Sequence, residues 1–382
     1  MVLQNKIKQP DILFVVNDFN FLRSHRLELL KYLSSKGFKV SVATNLAECS
    51  EQALNSMKLY LENIEDYRDD RASINPLKSF FSLFKLYLIL RRIKPKILSL
   101  VSPKPIILGG IASFLLQPAK IFFTISGMGY VFIDKSLKAR ILQKVVFGLY
   151  KILFQIENSG VIFQNSDDRN LFIEKGLVND HKTHVIKGNG INTDCFYRKE
   201  PLPHKLTFLF ASRLLKDKGI NEFIKAAENI CNQNVVFRVA GGIDESNPNS
   251  LTLSELELLK LNKDIDYVGR IEYQDMPKLF TSAHIFVLPS YREGLPQVAL
   301  EAASFSMPLL LTDVNGCRDC ILERENGFLV KPKDWKDLSD KFYYFINHPE
   351  EVAIMGEKSR KYILNNFSED IIHGKFLELY SK

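Results

Sequence analysis

The chain has 382 residues, 46% hydrophobic and 25% charged, with a formal net charge of +7 at pH 7. It exceeds one ordinary core and predicts two domains, and no apolar run approaches the roughly 20 residues that cross a bilayer, which excludes an integral membrane protein. Residues 1–200 hold 29 Lys+Arg against 18 Asp+Glu and the remainder 22 against 26, so the first half is the one suited to an anionic partner such as a phospholipid surface, a diphosphate or a nucleic acid.

The N-terminal stretch MVLQNKIKQPDILFVV lacks a signal-peptide cleavage site and runs straight into a strand pattern, which predicts a cytoplasmic protein. Five scattered cysteines (Cys49, Cys195, Cys231, Cys317, Cys320) fit reduced thiols. DILFVV (11–16) reads as a buried strand, followed by a helix through FLRSHRLELLKYLSS, the strand KVSVAT, a helix through PLKSFFSLFKLYLILRRI, and the strands KILSLV and KIFFTI. A basic and apolar helix over about 136–155 precedes the strands GVIFQ and HVIK. The proline-containing, aperiodic segment INTDCFYRKEPLPHK marks a boundary, which divides the chain into domains 1–198 and 199–382. Strands LTFLFA, VVFRVAG, IDYVG, HIFVLP, PLLLT and GFLV then alternate with helices, and the last three helices lie near 334–347, 350–366 and 368–380. The alternation predicts an α/β protein of two Rossmann-like domains with parallel sheets; the terminal helices are free to pack back on the first domain.

Ligands of open α/β sheets collect beyond the carboxyl ends of the strands, so the loops there hold the candidate residues. After LTFLFA comes SRLLKDKG, in which Arg213 and Lys218 bracket a helix start and can clamp a diphosphate. Alone, they read more readily as residues of a solvated loop. Arg270 follows IDYVG and also reads, alone, as a surface arginine. After HIFVLPS comes YREGLPQVALE: Gly294 permits close backbone approach, Pro296 can start a helix, and Glu293 and Glu301 flank the first turn, roughly 10 Å apart at 1.5 Å rise per residue. Free N–H groups near Leu295, Gln297 and Val298 can receive phosphate oxygens between the two acids. Sugar, diphosphate and ribose form one such series. The plainer alternative makes Glu293 an electrostatic cap and Glu301 an exposed helix residue.

Together, SRLLKDKG, VGRIEYQDMPKLF, AHIFVLPSYREGLPQVALEA and NGCRDCILERENGFLV resemble the C-terminal half of a family 4 glycosyltransferase, a retaining enzyme of the GT-B fold with two facing Rossmann-like domains and a cleft between them. The family's Glu-x7-Glu pair falls on Glu293 and Glu301, its diphosphate-binding Arg and Lys on Arg213 and Lys218, and its hinge-side motif on Asn189, Gly190, Ile191 and Asn192. SPKPIILGG and FFTISGMGYVF resemble the subgroup that extends undecaprenyl-diphosphate-linked saccharides of O-antigen, capsule and related polysaccharides. Where many members carry a histidine after the equivalent of Thr124, this chain has Ser126, while Gly127 and Gly129 remain able to approach the donor. His25 lies near the first helix and either touches the acceptor or serves packing.

The resemblance implies an acceptor-binding first domain and a nucleotide-sugar-binding second domain. It implies transfer of an N-acetylhexosamine or hexose from a UDP-sugar to a polyprenyl-diphosphate-linked saccharide. Arg213 and Lys218 would stabilise the leaving group, Glu293 orient the sugar and Glu301 bind the ribose, with no metal and no cofactor. Other readings are a non-hydrolysing UDP-sugar 2-epimerase and a catalytically idle nucleotide- or membrane-binding partner of an assembly complex. A nucleic-acid role lacks a reading motif. Cys317 and Cys320 lack the further ligands of a zinc site and read as structural thiols. The Phe80–Leu90 stripe reads as a core-packing helix. Lys135, Lys138, Arg140, Lys144 and Lys151, interleaved with apolar residues, suit an anionic bilayer or a solvated face, which extends to a peripheral place at the inner face of the cell membrane.

Overall fold

The computed structural model describes residues 11–47, 49–68, 76–116, 118–126, 137–230, 234–244 and 247–382. They form two compact units: one holds the chain up to Asn189 together with His373–Lys382, the other Gly190–Ile372. The aperiodic segment after Asn189 therefore belongs to the second unit, and the last ten residues to the first.

In the first unit, strands β1 (Ile12–Val16), β2 (Val40–Thr44), β3 (Asn63–Asp66), β4 (Ile97–Val101), β5 (Lys120–Ile125), β6 (Ser159–Phe163) and β7 (Thr183–Val185) form one sheet in the order β3-β2-β1-β4-β5-β6-β7. All pairs are parallel. Every residue of β1, β2 and β4 is buried, as expected of strands covered on both faces. The connecting helices are α1 (Phe19–His25), α2 (Leu27–Ser35), α3 (Glu51–Met57), α4 (Pro76–Ile93), α5 (Pro103–Leu116), α6 (Leu137–Leu153) and α7 (Ser166–Glu174). Right-handed crossovers put α4, α5 and α6, which precede β4, β5 and β6, on one face, and the helices before β2 and β3 on the other.

Three features depart from the sequence pattern. The first helix is broken at Arg26, whose side chain is buried and lies over the Phe376 ring at 5.5 Å. Burial lowers the Arg26 pKa to about 10. The stretch 103–116 is a helix that lacks periodicity because it is apolar all round. Its Gly109 and Gly110 let it press on the Leu100 and Leu153 side chains, where an added Cβ would lie 2.3 and 2.8 Å from their methyl groups. The short strand β3 is a polar sheet edge that hydrophobic patterning does not reveal.

In the second unit, β8 (Leu206–Ala211), β9 (Val235–Ala240), β10 (Asp266–Gly269), β11 (Ile285–Leu288), β12 (Leu309–Thr312) and β13 (Gly327–Val330) form a parallel sheet in the order β10-β9-β8-β11-β12-β13. Its helices are α8 (Ile220–Glu228), α9 (Leu253–Leu261), α10 (Met276–Thr281), α11 (Gln297–Ser304), α12 (Trp335–Asn347), α13 (Glu350–Asn366) and α14 (Glu369–Ser381), with the end of α14 counted in the first unit. Helix α11 is seated by α13, where Gly356 lies so close to the backbone after α11 that an added Cβ would sit 2.2 Å from the Ser306 carbonyl oxygen. Helix propensity alone favours Ala over Gly by roughly 1 kcal/mol. Gly356→Ala should nevertheless lower stability, by about 1–3 kcal/mol through overpacking, in urea unfolding followed by circular dichroism. Equal or higher stability would show that α13 does not hold α11 at this distance.

Candidate active site

The candidate residues of the second unit gather at the carboxyl edge of its sheet. Arg213 and Lys218 follow β8, the Gly241–Asp244 segment follows β9, Glu293 follows β11 and Gly316 follows β12. A 3-10 turn, Lys216–Lys218, leads into α8 through Gly219 at φ 78°. A Cβ there would stand 2.1 Å from the Pro289 carbonyl oxygen, so glycine lets the two loops touch. The contact is continued by hydrogen bonds: Tyr291 N–H donates to the Asp217 carbonyl at 2.8 Å, and the Tyr291 hydroxyl to Glu222 Oε1 at 2.7 Å.

This seam brings Lys218 Nζ to 2.5 Å from Glu293 Oε1, with side chains only 20% and 9% exposed. Arg213 stands on the more open side, half exposed, and donates to Asp244 Oδ2 at 2.7 Å. An exposed pair of this kind contributes roughly 0–1 kcal/mol and leaves Arg213 ready to change partner. The Glu293–Gly294 backbone rests on Gly316, whose φ is 78° and whose added Cβ would meet the Gly294 carbonyl oxygen at 2.4 Å. Cys317 is buried beneath; burial and the Glu293 charge push its thiol pKa well up, against the opposing pull of Lys218. Cys320 is buried as well, so both sulfurs are packed inside the fold.

Helix α11 begins at Gln297, one residue later than the sequence pattern predicts, because Pro296 has extended backbone and acts as the N-cap. No side chain caps it. The first-turn N–H groups of Gln297 and Val298 have no acceptor within the helix and point out of its positive end, with Leu295 just before them. Glu301, on the second turn, is 3% exposed rather than a surface residue. Burial raises its pKa to about 8, only partly offset by hydrogen bonds from Tyr273 and Gln297. Its Oε1 has no hydrogen-bond partner among the described residues. Such an oxygen costs on the order of 1–3 kcal/mol and is a ready acceptor for a ligand hydroxyl.

The remaining candidates are spread out. Arg270 follows the edge strand β10, is 76% exposed in its side chain, and pairs with Glu272 at 3.2 Å. Its aliphatic stem lines the space above Gly242. Gly190 has φ 89° and approaches the start of α14, and its carbonyl accepts from the Gln297 side chain at 3.2 Å. In the first unit, the Asn189 carbonyl lies 3.0 Å from His373 Nε2, and His25 is stacked on Phe21 with its Nδ1 2.6 Å from the Ser24 hydroxyl. Ser126 lies 3.3 Å from the Ser102 hydroxyl. Gly127 and Gly129 fall outside the described residues. Asp244, Tyr273 and Tyr291 are partners that motif reading missed; the only signal for Asp244 was a glycine pair directly after a strand.

A family model described as glycosyl transferases group 1 matches residues 196–362, and another described as glycosyl transferase 4-like matches residues 11–165. The chain is a glycosyltransferase. Both halves match transferase models, which favours transfer over the epimerase reading. This glycosyltransferase is 28% identical over 373 residues, covering 94% of each chain, to the N,N'-diacetylbacillosaminyl-diphospho-undecaprenol alpha-1,3-N-acetylgalactosaminyltransferase of Campylobacter jejuni. It is 26% identical, over 84% of its own length and 87% of the other, to the capsular polysaccharide biosynthesis glycosyltransferase CapM of Staphylococcus aureus. Its structure is similar to sucrose-phosphate synthase from Thermosynechococcus elongatus (TM-score 0.77, 20% identity, 98% of both chains) and to Anabaena HepE in complex with UDP and glucose (TM-score 0.76, 17% identity, 98% and 100%). The fold is that of GT-B glycosyltransferases.

The buried carboxyl gives a signed pH dependence. Because folding raises the Glu301 pKa from 4.5 to about 8, the folded state holds a proton that the unfolded state releases between those values. This contribution to stability is therefore complete below pH 4.5 and declines, by about 1.4 kcal/mol per pH unit, as pH rises to about 8. Glu301→Gln removes it. Urea midpoints measured from pH 5 to 8.5 should show the variant gaining on the wild type as pH rises, and parallel curves would place an ionised carboxylate in the folded protein.

Proposed function

We propose that this glycosyltransferase moves an N-acetylhexosamine or hexose from a UDP-sugar to a polyprenyl-diphosphate-linked saccharide, with retention of configuration, in surface polysaccharide synthesis. The arrangement around α11 carries the reading: a Lys218–Glu293 pair at one end of its first turn and the unsatisfied Glu301 oxygen beyond it. That order suits diphosphate, sugar and ribose. The activities of the relatives support the acceptor class, since one acts on a diphospho-undecaprenol saccharide and another is a capsular glycosyltransferase.

In this mechanism the donor exchanges partners with groups that are already paired. Diphosphate oxygens take Lys218 from Glu293 and Arg213 from Asp244, while first-turn N–H groups receive further oxygens. Glu293, released, accepts from sugar hydroxyls, and Glu301 accepts from the ribose. As the bond from the anomeric carbon to the diphosphate breaks, negative charge grows on the leaving oxygens, and the two cations and the helix terminus stabilise it. No metal is required for that charge. The acceptor hydroxyl then attacks the face from which the diphosphate departs, passing its proton to a leaving diphosphate oxygen, which yields retention. Glu293 acts here by orienting the sugar and not as the nucleophile of a paired-carboxylate glycosidase.

The basic first half supports work at an anionic membrane surface, where a polyprenyl-anchored acceptor resides. The face of α6 that is exposed carries Arg140, Lys144 and Lys151 among Ile141, Val145 and Ile152, while Tyr150 and Leu153 pack inward. Binding to anionic vesicles should weaken as salt rises, and Lys138→Glu/Arg140→Glu/Lys144→Glu should remove the salt-sensitive part, with activity on a water-soluble acceptor analogue preserved.

Kinetics separate the roles in the second unit. Lys218→Ala and Arg213→Ala should lower turnover by on the order of 30- to 1,000-fold, more than they weaken donor binding. Glu293→Gln should impair transfer but leave UDP binding equal or tighter by calorimetry, because Lys218 loses its competitor. Glu301→Ala should weaken UDP itself. Unchanged turnover in both cation variants, or the reverse pattern for the two acids, would overturn the assignment.

A further inference from the structure

Helix α4 presents two apolar faces. Leu86, Ile89, Leu90 and Ile93 pack into the core of the first unit. On the opposite side, Phe81 is 70% exposed, and Leu77, Phe80, Phe84 and Leu88 are between 45% and 71% exposed. At 100° per residue these five side chains fall within an arc of about 100° and extend for about 16 Å along the helix. The sequence pattern predicted a core-packing helix; the structure gives that role to one face and leaves the other in water. Neighbouring helices of the same layer add Phe114 from α5 and Ile141, Val145 and Ile152 from α6, all more than half exposed.

The charge of the α4–α6 part of this layer is one-sided. Helices α4, α5 and α6 contain no Asp or Glu, while they carry Lys78, Lys85, Arg91, Arg92, Lys104, Lys138, Arg140, Lys144 and Lys151; the acids of the layer, Asp167, Asp168 and Glu174, sit on α7, beyond α6 and away from α4. The sheet edge supplies partners among the described residues: Lys85 lies 3.4 Å from Asp66, and Arg92 lies 2.6 Å from Glu65. A second copy of the chain docked face to face would set cations against cations. An aromatic stripe flanked by Lys and Arg is instead the composition of a helix that lies in the headgroup region of an anionic bilayer, with rings in the acyl boundary and long cationic side chains reaching the phosphates.

We propose that α4 is the element of this protein that enters the apolar layer of an anionic membrane, through Leu77, Phe80, Phe81, Phe84 and Leu88, with the basic face of α6 binding the headgroups beside it. This rests on the membrane reading above and adds a division of labour. The α6 face supplies the part of binding that salt screens, and α4 the part that salt leaves in place.

The test uses the full chain and large vesicles of mixed phosphatidylglycerol and phosphatidylcholine. Phe80→Ser/Phe81→Ser/Phe84→Ser should lose vesicle partitioning in high salt by on the order of 100-fold while retaining a salt-sensitive remainder at low salt. The chain has one tryptophan, Trp335, so Phe81→Trp is placed in a Trp335→Phe background. Its emission should shift to the blue on vesicle binding and be quenched by lipids brominated near the headgroup end of the acyl chain. Wild-type partitioning by the serine variant in high salt, or a Phe81→Trp signal that vesicles do not change, overturns the proposal even if the serine variant were to misfold. A dimer in sedimentation that the serine variant abolishes would give the face to a second copy and overturn it as well. Transfer to a water-soluble acceptor analogue should be equal in wild type and the serine variant. Failure of wild type in that assay would count against the sugar-transfer assignment, whereas vesicle binding decides the role of α4 on its own.

Discussion

A missing side chain makes the second unit's site. Gly219 lies so near the Pro289 carbonyl that a Cβ would stand 2.1 Å from its oxygen, and this approach fuses the loop after β8 to the loop after β11. Lys218 is carried by the first loop and Glu293 by the second, so their 2.5 Å pair depends on the glycine between them. Gly316 repeats the device from below, under the Gly294 carbonyl. Carbonyls, tyrosine and acid then close the seam through Asp217, Tyr291 and Glu222. Pre-organisation of this kind means that little has to be reorganised when charge appears on a leaving group.

The same rigidity accounts for the unusual state of Glu301. A carboxyl on the second turn of a short helix would ordinarily face water, yet Tyr273 and Gln297 hold it inside and burial raises its pKa to about 8. A neutral carboxyl with an unpaired oxygen is tolerable in the core, and an ionised one there is costly. Hydroxyls donated by a ligand would favour the ionised form, which couples binding to proton release. Beneath the Glu293–Gly294 backbone, burial keeps the Cys317 thiol neutral, so the charges near it remain those of Lys218, Glu293 and Arg318.

The first unit follows a different electrostatic rule. Its strands β1, β2 and β4 are buried on both faces, and right-handed crossovers collect the acid-free α4, α5 and α6, with α7 beyond them, on one of those faces. Core packing uses one side of each helix. The other sides combine cations with exposed aromatic and β-branched residues, a combination that water alone does not favour.

Some of this was determined by the sequence. Period-two and buried apolar runs marked nearly all the long strands, and the alternation with helices implied two parallel sheets, because hydrophobic periodicity is a local property. The order of Arg213, Lys218, Glu293 and Glu301 along successive strand ends was legible for the same reason, since parallel topology sends every such loop to one edge. The polar strand β3 and the uniformly apolar α5 escaped, one for lack of apolar residues and the other for lack of contrast. What only the tertiary structure decided was environment. Whether Glu301 is wet or buried depends on Tyr273, 28 positions away by their numbering, and which apolar face of α4 finds a core depends on neighbours distant in the chain. A local pattern specifies that a face is apolar; only the packed fold determines whether anything covers it.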